Sequence, residues 1–211
     1  MKLICFPHYT CGGLLCDILN NTFSPVAPNG GIASIHHSMG KIGDTGTIFE
    51  EFDSDLLIKA LVDIPKDVFA GTHCWPGVLP LEKFNYIINI TTATERSRVY
   101  RWARAYNHYY LPLWQNLSGI DLSDKIRETA KNYLGSFRPV FAENVYNLEF
   151  SEVVENTVEF NKIVANTDQH LERWRNLNNF LYDSNFWNRI EVKAYYQAVY
   201  ELELNQYYVY E

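Results

Sequence analysis

The chain has 211 residues with 18 basic and 25 acidic side chains, a net charge of −7, and it is 47% apolar and 15% aromatic, with 15 Tyr, 12 Phe and 5 Trp. That length suits one domain with a sizeable core. The apolar content excludes a disordered chain, and the acidic balance argues against a general nucleic-acid binder. No apolar run approaches the roughly 18 residues of a membrane span, so none is expected.

Lys2–Phe6 (KLICF) is a short apolar run that reads as a strand. No basic segment and apolar core of a secretory signal precede it, so a cytoplasmic chain is expected. Cys5, Cys11, Cys16 and Cys74 are then expected as reduced thiols. A zinc site joining them to His8 or His73 would lack a CxxC pair, and no metal is expected.

After the first strand come Pro7-His8-Tyr9-Thr10-Cys11-Gly12-Gly13 and then Leu14, Leu15, Ile18 and Leu19 at helical spacing, closed by Asn20. The reading is strand, glycine turn, helix. Residues 22–47, which include His36 and His37, are rich in Gly, Pro, Ser and Asn and read as a long loop with one strand near Ile32–Ile35. A helix is expected from Ser54 to Ile64, ending at Pro65.

Asp67–Thr72 and Phe84–Ile90 read as further core strands, Val145–Phe150 as a fourth, and 94 onward as mainly helical. Short apolar strands separated by helices predict an α/β fold, with a buried parallel sheet flanked by helices and a largely helical C-terminal third. No repeat or linker divides the chain, so residues 1–211 are expected as one domain. The tyrosines of the C-terminal stretch (Tyr195, Tyr196, Tyr200, Tyr207, Tyr208, Tyr210) read either as packing on the domain or as a homodimer face.

Three features carry chemistry. A glycine turn between a parallel strand and a helix N-terminus presents backbone amides and a helix dipole that suit phosphate or sulfate. The alternative is a plain βα turn whose glycines serve packing. His73, at the end of the second strand, lies where open α/β sheets bind ligands and can act as a base near neutral pH; otherwise it is a hydrogen-bonded loop histidine. On a helical wheel Arg101, Arg104 and His108 fall within about 60° of one another with Arg98 beyond, opposite Val99, Trp102, Tyr106, Tyr109 and Tyr110. Residues 91–110 carry four Arg and one Glu, a local +3 in an acidic chain. That face suits a bound anion, or it is a solvated face paired with acids.

In order and spacing these elements resemble the sulfotransferase family. The family opens with a strand ending Pro-Lys-x-Gly-Gly-Thr or a similar loop, then a leucine-rich helix; here stand Phe6-Pro7-His8-Tyr9-Thr10-Cys11-Gly12-Gly13, Leu14-Leu15 and Ile18-Leu19. Its Lys-Thr-His-Leu-Pro strand end is matched by Gly71-Thr72-His73-Cys74-Trp75-Pro76. Its third strand and Arg-containing turn are matched by Tyr86–Ile90 and Thr91 to Arg96, before Ala105-Tyr106-Asn107-His108-Tyr109. His8, Gly71, Thr91 and Val99 stand where the family carries Lys, Lys, Arg and Ser.

The resemblance spans about half the chain. It implies a P-loop NTPase-like fold and transfer of a sulfuryl group from 3′-phosphoadenosine 5′-phosphosulfate to a hydroxyl or amine of a small-molecule or glycan acceptor. His73 would be the base. His8, Tyr9, Thr10, Cys11, Gly12 and Gly13 would hold the phosphosulfate, and Thr91, Arg96, Arg98 and Arg101 would lie near the 3′-phosphate. The alternative is a diverged domain of the same fold that binds a nucleotide or protein without catalysis. A nucleotide kinase or NTPase is a third reading, opposed by the absence of GxxxxGK[ST].

Overall fold

The computed structural model describes residues 1–20, 58, 66–133, 137–155 and 168–207. The strand expected at 32–35, the pair His36 and His37, and the tyrosines at 208 and 210 lie outside them, as does all but Ile58 of the helix expected at 54–64.

Four strands form one parallel sheet: β1 (Lys2–Cys5), β2 (Phe69–Thr72), β3 (Tyr86–Thr91) and β4 (Val145–Glu149), in the order β2-β1-β3-β4. Cys5 lies opposite Thr72 on one side and Asn89 on the other, and Thr91 opposite Glu149. β1 is central, with Leu3, Ile4 and Cys5 all buried, which accounts for its unbroken apolar run.

Among the described residues the helices are α1 (Gly12–Leu19), α2 (Glu95–Ala105), α3 (Leu111–Trp114), α4 (Gly119–Ala130), α5 (Phe150–Glu155), α6 (Asp168–Asn178) and α7 (Ile190–Tyr207). The larger core joins Ile4, Ile88 and Ile90 of the sheet to Leu15, Ile18, Trp102, Phe150 and Tyr195 of the helices. A smaller core joins Leu3, Cys5, Ala70 and Ile87 to Cys74, Leu79 and Phe84. This second cover comes from residues 73–85, which carry the chain from β2 to β3 through two short 3-10 turns. The sheet is therefore clad on both faces, as parallel strands require.

Thr94 caps α2, its hydroxyl accepting from Ser97 N at 3.2 Å. The helix then widens into a π turn over Tyr106–Tyr110, closed by Leu111 N donating to Tyr106 O. Pro112, just inside α3, has no amide to continue an α ladder. This turn corrects the helical wheel. A uniform 100° step put Tyr109 on the core side, but the inserted residue shifts the phase and leaves Tyr109 exposed.

The aromatic excess builds a ladder between α2 and α7. Trp102 stacks on Tyr195 at 4.4 Å and 13°, and on Tyr106 at 5.1 Å; Tyr110 stacks on Trp114 at 4.5 Å. Tyr195 thus packs inward, while Tyr196 and Tyr200 face outward. All four cysteines are free thiols. No helix among the described residues is long and apolar enough to cross a membrane.

Candidate functional site

β1 leads out to β2 on one side of the sheet, and β3 leads out to β4 on the other. The crevice between the carboxyl ends of β1 and β3 is thus a topological switch point, the place where open α/β sheets bind ligands. The turn Phe6–Cys11 and the turn Thr92–Thr94 flank it.

The first turn is built under constraint. Phe6 N donates to Thr72 O at 2.9 Å and continues the ladder beyond β1. Thr10 Oγ1 donates to Pro7 O at 2.7 Å and closes the turn. Tyr9 and Cys11 both adopt left-handed backbone, at φ 67° and 59°; each costs about 1–2 kcal/mol for a residue with a Cβ. Gly12 is sterically obligatory, because a Cβ there would meet the Phe6 ring at 2.0 Å. Gly13 has open space around it. Among the described residues no side chain caps α1. Its first amides have no partner within the helix, and they lie at the positive end of the dipole.

His73 meets this turn directly. Its Nδ1 lies 2.8 Å from Phe6 O, and its ring lies 3.6 Å from that of His8 and 4.6 Å from that of Phe6. A carbonyl only accepts, so Nδ1 carries the proton and Nε2 is the basic nitrogen of the neutral ring. Only 7% of His73 is exposed.

Arg101 approaches the same turn from α2. Its Nε donates to His8 O at 3.0 Å, and its guanidinium lies 5.3 Å from the centre of the Tyr133 ring. It is 4% exposed, and burial pushes its pKa down, against the phenols of Tyr133, Tyr195 and Tyr9. Of the two readings of this basic face, the solvated one does not hold at Arg101, which tertiary packing covers.

Tyrosines wall the turn on this side: Tyr133 OH donates to Tyr110 OH at 3.3 Å, and Tyr9 lies 6.3 Å from Tyr133. Burial is the main cause that raises Tyr9, with Tyr110 and Tyr109 adding to it. Sequence reasoning missed Tyr133. It sits in a 3-10 turn after α4 with no motif around it, and only the fold carries it to the site.

The other nominated residues lie elsewhere. Arg96 pairs with Glu155 at 3.2 Å and lies over the Trp187 ring at 5.1 Å. Arg98 acts electrostatically on Tyr196 of α7. Arg104 donates to Leu177 O at 3.0 Å and to Asn178 Oδ1. Thr91 Oγ1 donates to Glu149 at 2.5 Å, as do Thr94 N at 3.1 Å, Thr94 Oγ1 at 2.9 Å and Ala93 N at 3.4 Å. Burial pushes Glu149 up, but hydrogen bonds from Ser97, Thr91 and Thr94 prevail and hold it below the usual carboxylate range. The donors at the end of β3 thus already grip a carboxylate of the chain itself.

The β1–α1 turn, His73 and Arg101 therefore converge, joined by Tyr9 and Tyr133. The arrangement brings an imidazole and a buried guanidinium onto the backbone of the turn that leads into α1. Among the described residues no group of three or more His, Cys, Asp or Glu could hold a metal ion. No protein-family model matches the chain, and no curated protein or solved structure matches it.

Proposed function

We propose that the chain is a sulfotransferase-like enzyme of P-loop type, with its reaction centre at the carboxyl ends of β1 and β2, where His73 meets the β1–α1 turn. The observation that carries this reading is the hydrogen bond from His73 Nδ1 to Phe6 O, which ties the histidine to the β1–α1 turn with Nε2 as its basic nitrogen. In this reading Nε2 takes the proton of an acceptor hydroxyl as that oxygen bonds to sulfur. The sulfur–oxygen bond to the 5′-phosphate breaks, and adenosine 3′,5′-bisphosphate departs. Amides of Gly12 and Gly13 face the phosphosulfate, and the Arg101 charge favours the anion from behind the turn.

The test is transfer by His73→Ala, expected to fall by about two orders of magnitude or more while adenosine 3′,5′-bisphosphate still binds. Retained transfer rejects the assignment. A second reading, nucleotide or partner binding without transfer, is favoured by the grip of Thr91, Ala93 and Thr94 on Glu149, where a 3′-phosphate would otherwise be held. Thermal shift separates the enzyme from a domain that binds only a protein. Ligand at a hundred times its Kd adds about 2.7 kcal/mol, and no shift with millimolar adenosine 3′,5′-bisphosphate counts heavily against the enzyme reading.

A further inference from the structure

α7 carries more aromatic surface than the core uses. Val192, Tyr195, Ala198 and Val199 are buried, whereas Tyr196 is 39% and Tyr200 61% exposed. With Lys193 and Gln197 these tyrosines line one side of an open cavity of about 610 Å3. Its other side is Arg96, from the first turn of α2, and Trp187, from the turn before α7. Small-molecule sites span about 300–1,000 Å3, so the size fits one ligand of modest mass.

The walls are held in place by the core. Trp187 packs on Phe186 at 5.1 Å and on Tyr100 at 5.4 Å, which sets its ring. Arg96 is fixed over that ring by Glu155, and the Glu95 carboxylate acts on the Tyr196 phenol and raises its pKa. Among the described lining residues the charged ones are Arg96, which Glu155 pairs, and Lys193, although the chain as a whole carries −7. Arg96 and Arg101 are five positions apart, about 140° around the helix, so this cavity and the β1–α1 turn lie on different sides of α2.

We propose that the cavity binds a small aromatic anion. An aryl ring would lie against Trp187, Tyr196 and Tyr200, whose faces and edges favour offset or edge-on ring contacts. Its carboxylate, sulfonate or phosphate would be directed at Lys193, because Glu155 already pairs with Arg96. The ring contact selects aromatics and the Lys193 charge selects against positive charge. The proposal does not depend on the transferase reading, since it uses none of that site's residues at the turn.

The test uses the full chain and three naphthalene probes of matched shape, observed by saturation-transfer NMR: naphthalene-2-sulfonate, 2-naphthol and 2-naphthylmethylammonium. The sulfonate is expected to bind best and the ammonium worst, and the sulfonate's advantage shrinks as salt screens the Lys193 charge. Lys193→Glu is expected to weaken sulfonate binding about fivefold, a charge effect at a surface site. Tyr200→Ala is expected to weaken all three probes about fivefold, from the lost ring contact. Both residues are exposed, and unchanged thermal unfolding checks that the variants keep their fold. Equal binding of the three probes, or variants that bind like the parent, overturns the proposal. So does a parent dimer that Tyr200→Ala dissociates without any effect on probe binding, which would assign this face to a second copy.

Discussion

Replacing Gly12 by Ala tests whether the β1–α1 turn is built around the Phe6 ring. The new Cβ would stand 2.0, 2.2 and 2.4 Å from Phe6 Cγ, Cδ1 and Cδ2, where carbons ordinarily sit about 3.5–4.0 Å apart. The ring would have to withdraw by roughly 1.5 Å to restore that spacing. It has little room to do so, because a Cβ on Gly71 would already lie 3.0 Å from its far edge and the His73 ring stands at 4.6 Å. Overpacking of this kind costs about 1–3 kcal/mol. In a chain of this size that is a Tm loss of about 2–4 °C per kcal/mol.

Urea unfolding of Gly12→Ala, Phe6→Ala and the double variant isolates the contact. Phe6→Ala alone leaves a cavity and costs about 3–5 kcal/mol. In that background the methyl introduced by Gly12→Ala has space, so its own cost should vanish and the coupling should reach about 2 kcal/mol. Gly13→Ala is the control: no atom lies within 4 Å of its Cβ, and Ala exceeds Gly in a helix by about 0.5–1 kcal/mol. Additive effects of Gly12→Ala and Phe6→Ala would refute the reasoning, as would a Gly12→Ala variant within about 0.5 kcal/mol of the parent.

Three further outcomes are expected. Glu149 is held below the ordinary carboxylate range when folded, so its contribution is present at neutral pH and is lost as pH falls through that depressed pKa. Glu149→Gln should therefore cost about 1 kcal/mol at pH 7, a hydrogen-bonded charge discounted for partial exposure; the gap to the parent should close as pH falls through that depressed pKa, and a pH-independent gap opposes the assignment. Arg101→Met should cost about 1–3 kcal/mol in urea unfolding, because the part-buried hydrogen bond from Arg101 to the His8 carbonyl is lost; a neutral result would show that the guanidinium does not hold the turn. Burial pushes Cys74 up to about 12 and raises Cys5 and Cys16 as well, so iodoacetamide at neutral pH should label Cys11 well before the other three, read by peptide mass mapping. Equal labelling of Cys74 would contradict the buried thiols.

The strands were legible because each is a short apolar run bounded by turn residues. Expected at 2–6, 67–72, 84–90 and 145–150, they are found at Lys2–Cys5, Phe69–Thr72, Tyr86–Thr91 and Val145–Glu149. The turn after β1 was legible as well, since Gly12-Gly13 ahead of leucines at helical spacing has few other readings. The arginines of α2 were legible as charges, but their roles were not. Arg96, Arg101 and Arg104 share one helix yet reach Glu155, the β1 turn and the end of α6 respectively. A wheel records direction around one axis and contains nothing about which neighbour stands there. Glu149 went unnoticed because it ends a strand of ordinary composition, and its donors lie more than fifty residues earlier.

The local pattern alone determined that this chain forms parallel strands and helices, because backbone preference and apolar periodicity act over a few residues. It also determined where one glycine turn would stand. Strand order had to come from tertiary structure, since the choice of β1 rather than β2 as neighbour to β3 depends on how distant segments share one core. So did the stacking of His8 on His73 and the burial of Arg101 behind the turn. Each joins elements far apart in the chain, and no local preference specifies such a meeting until the sheet and its helices have packed.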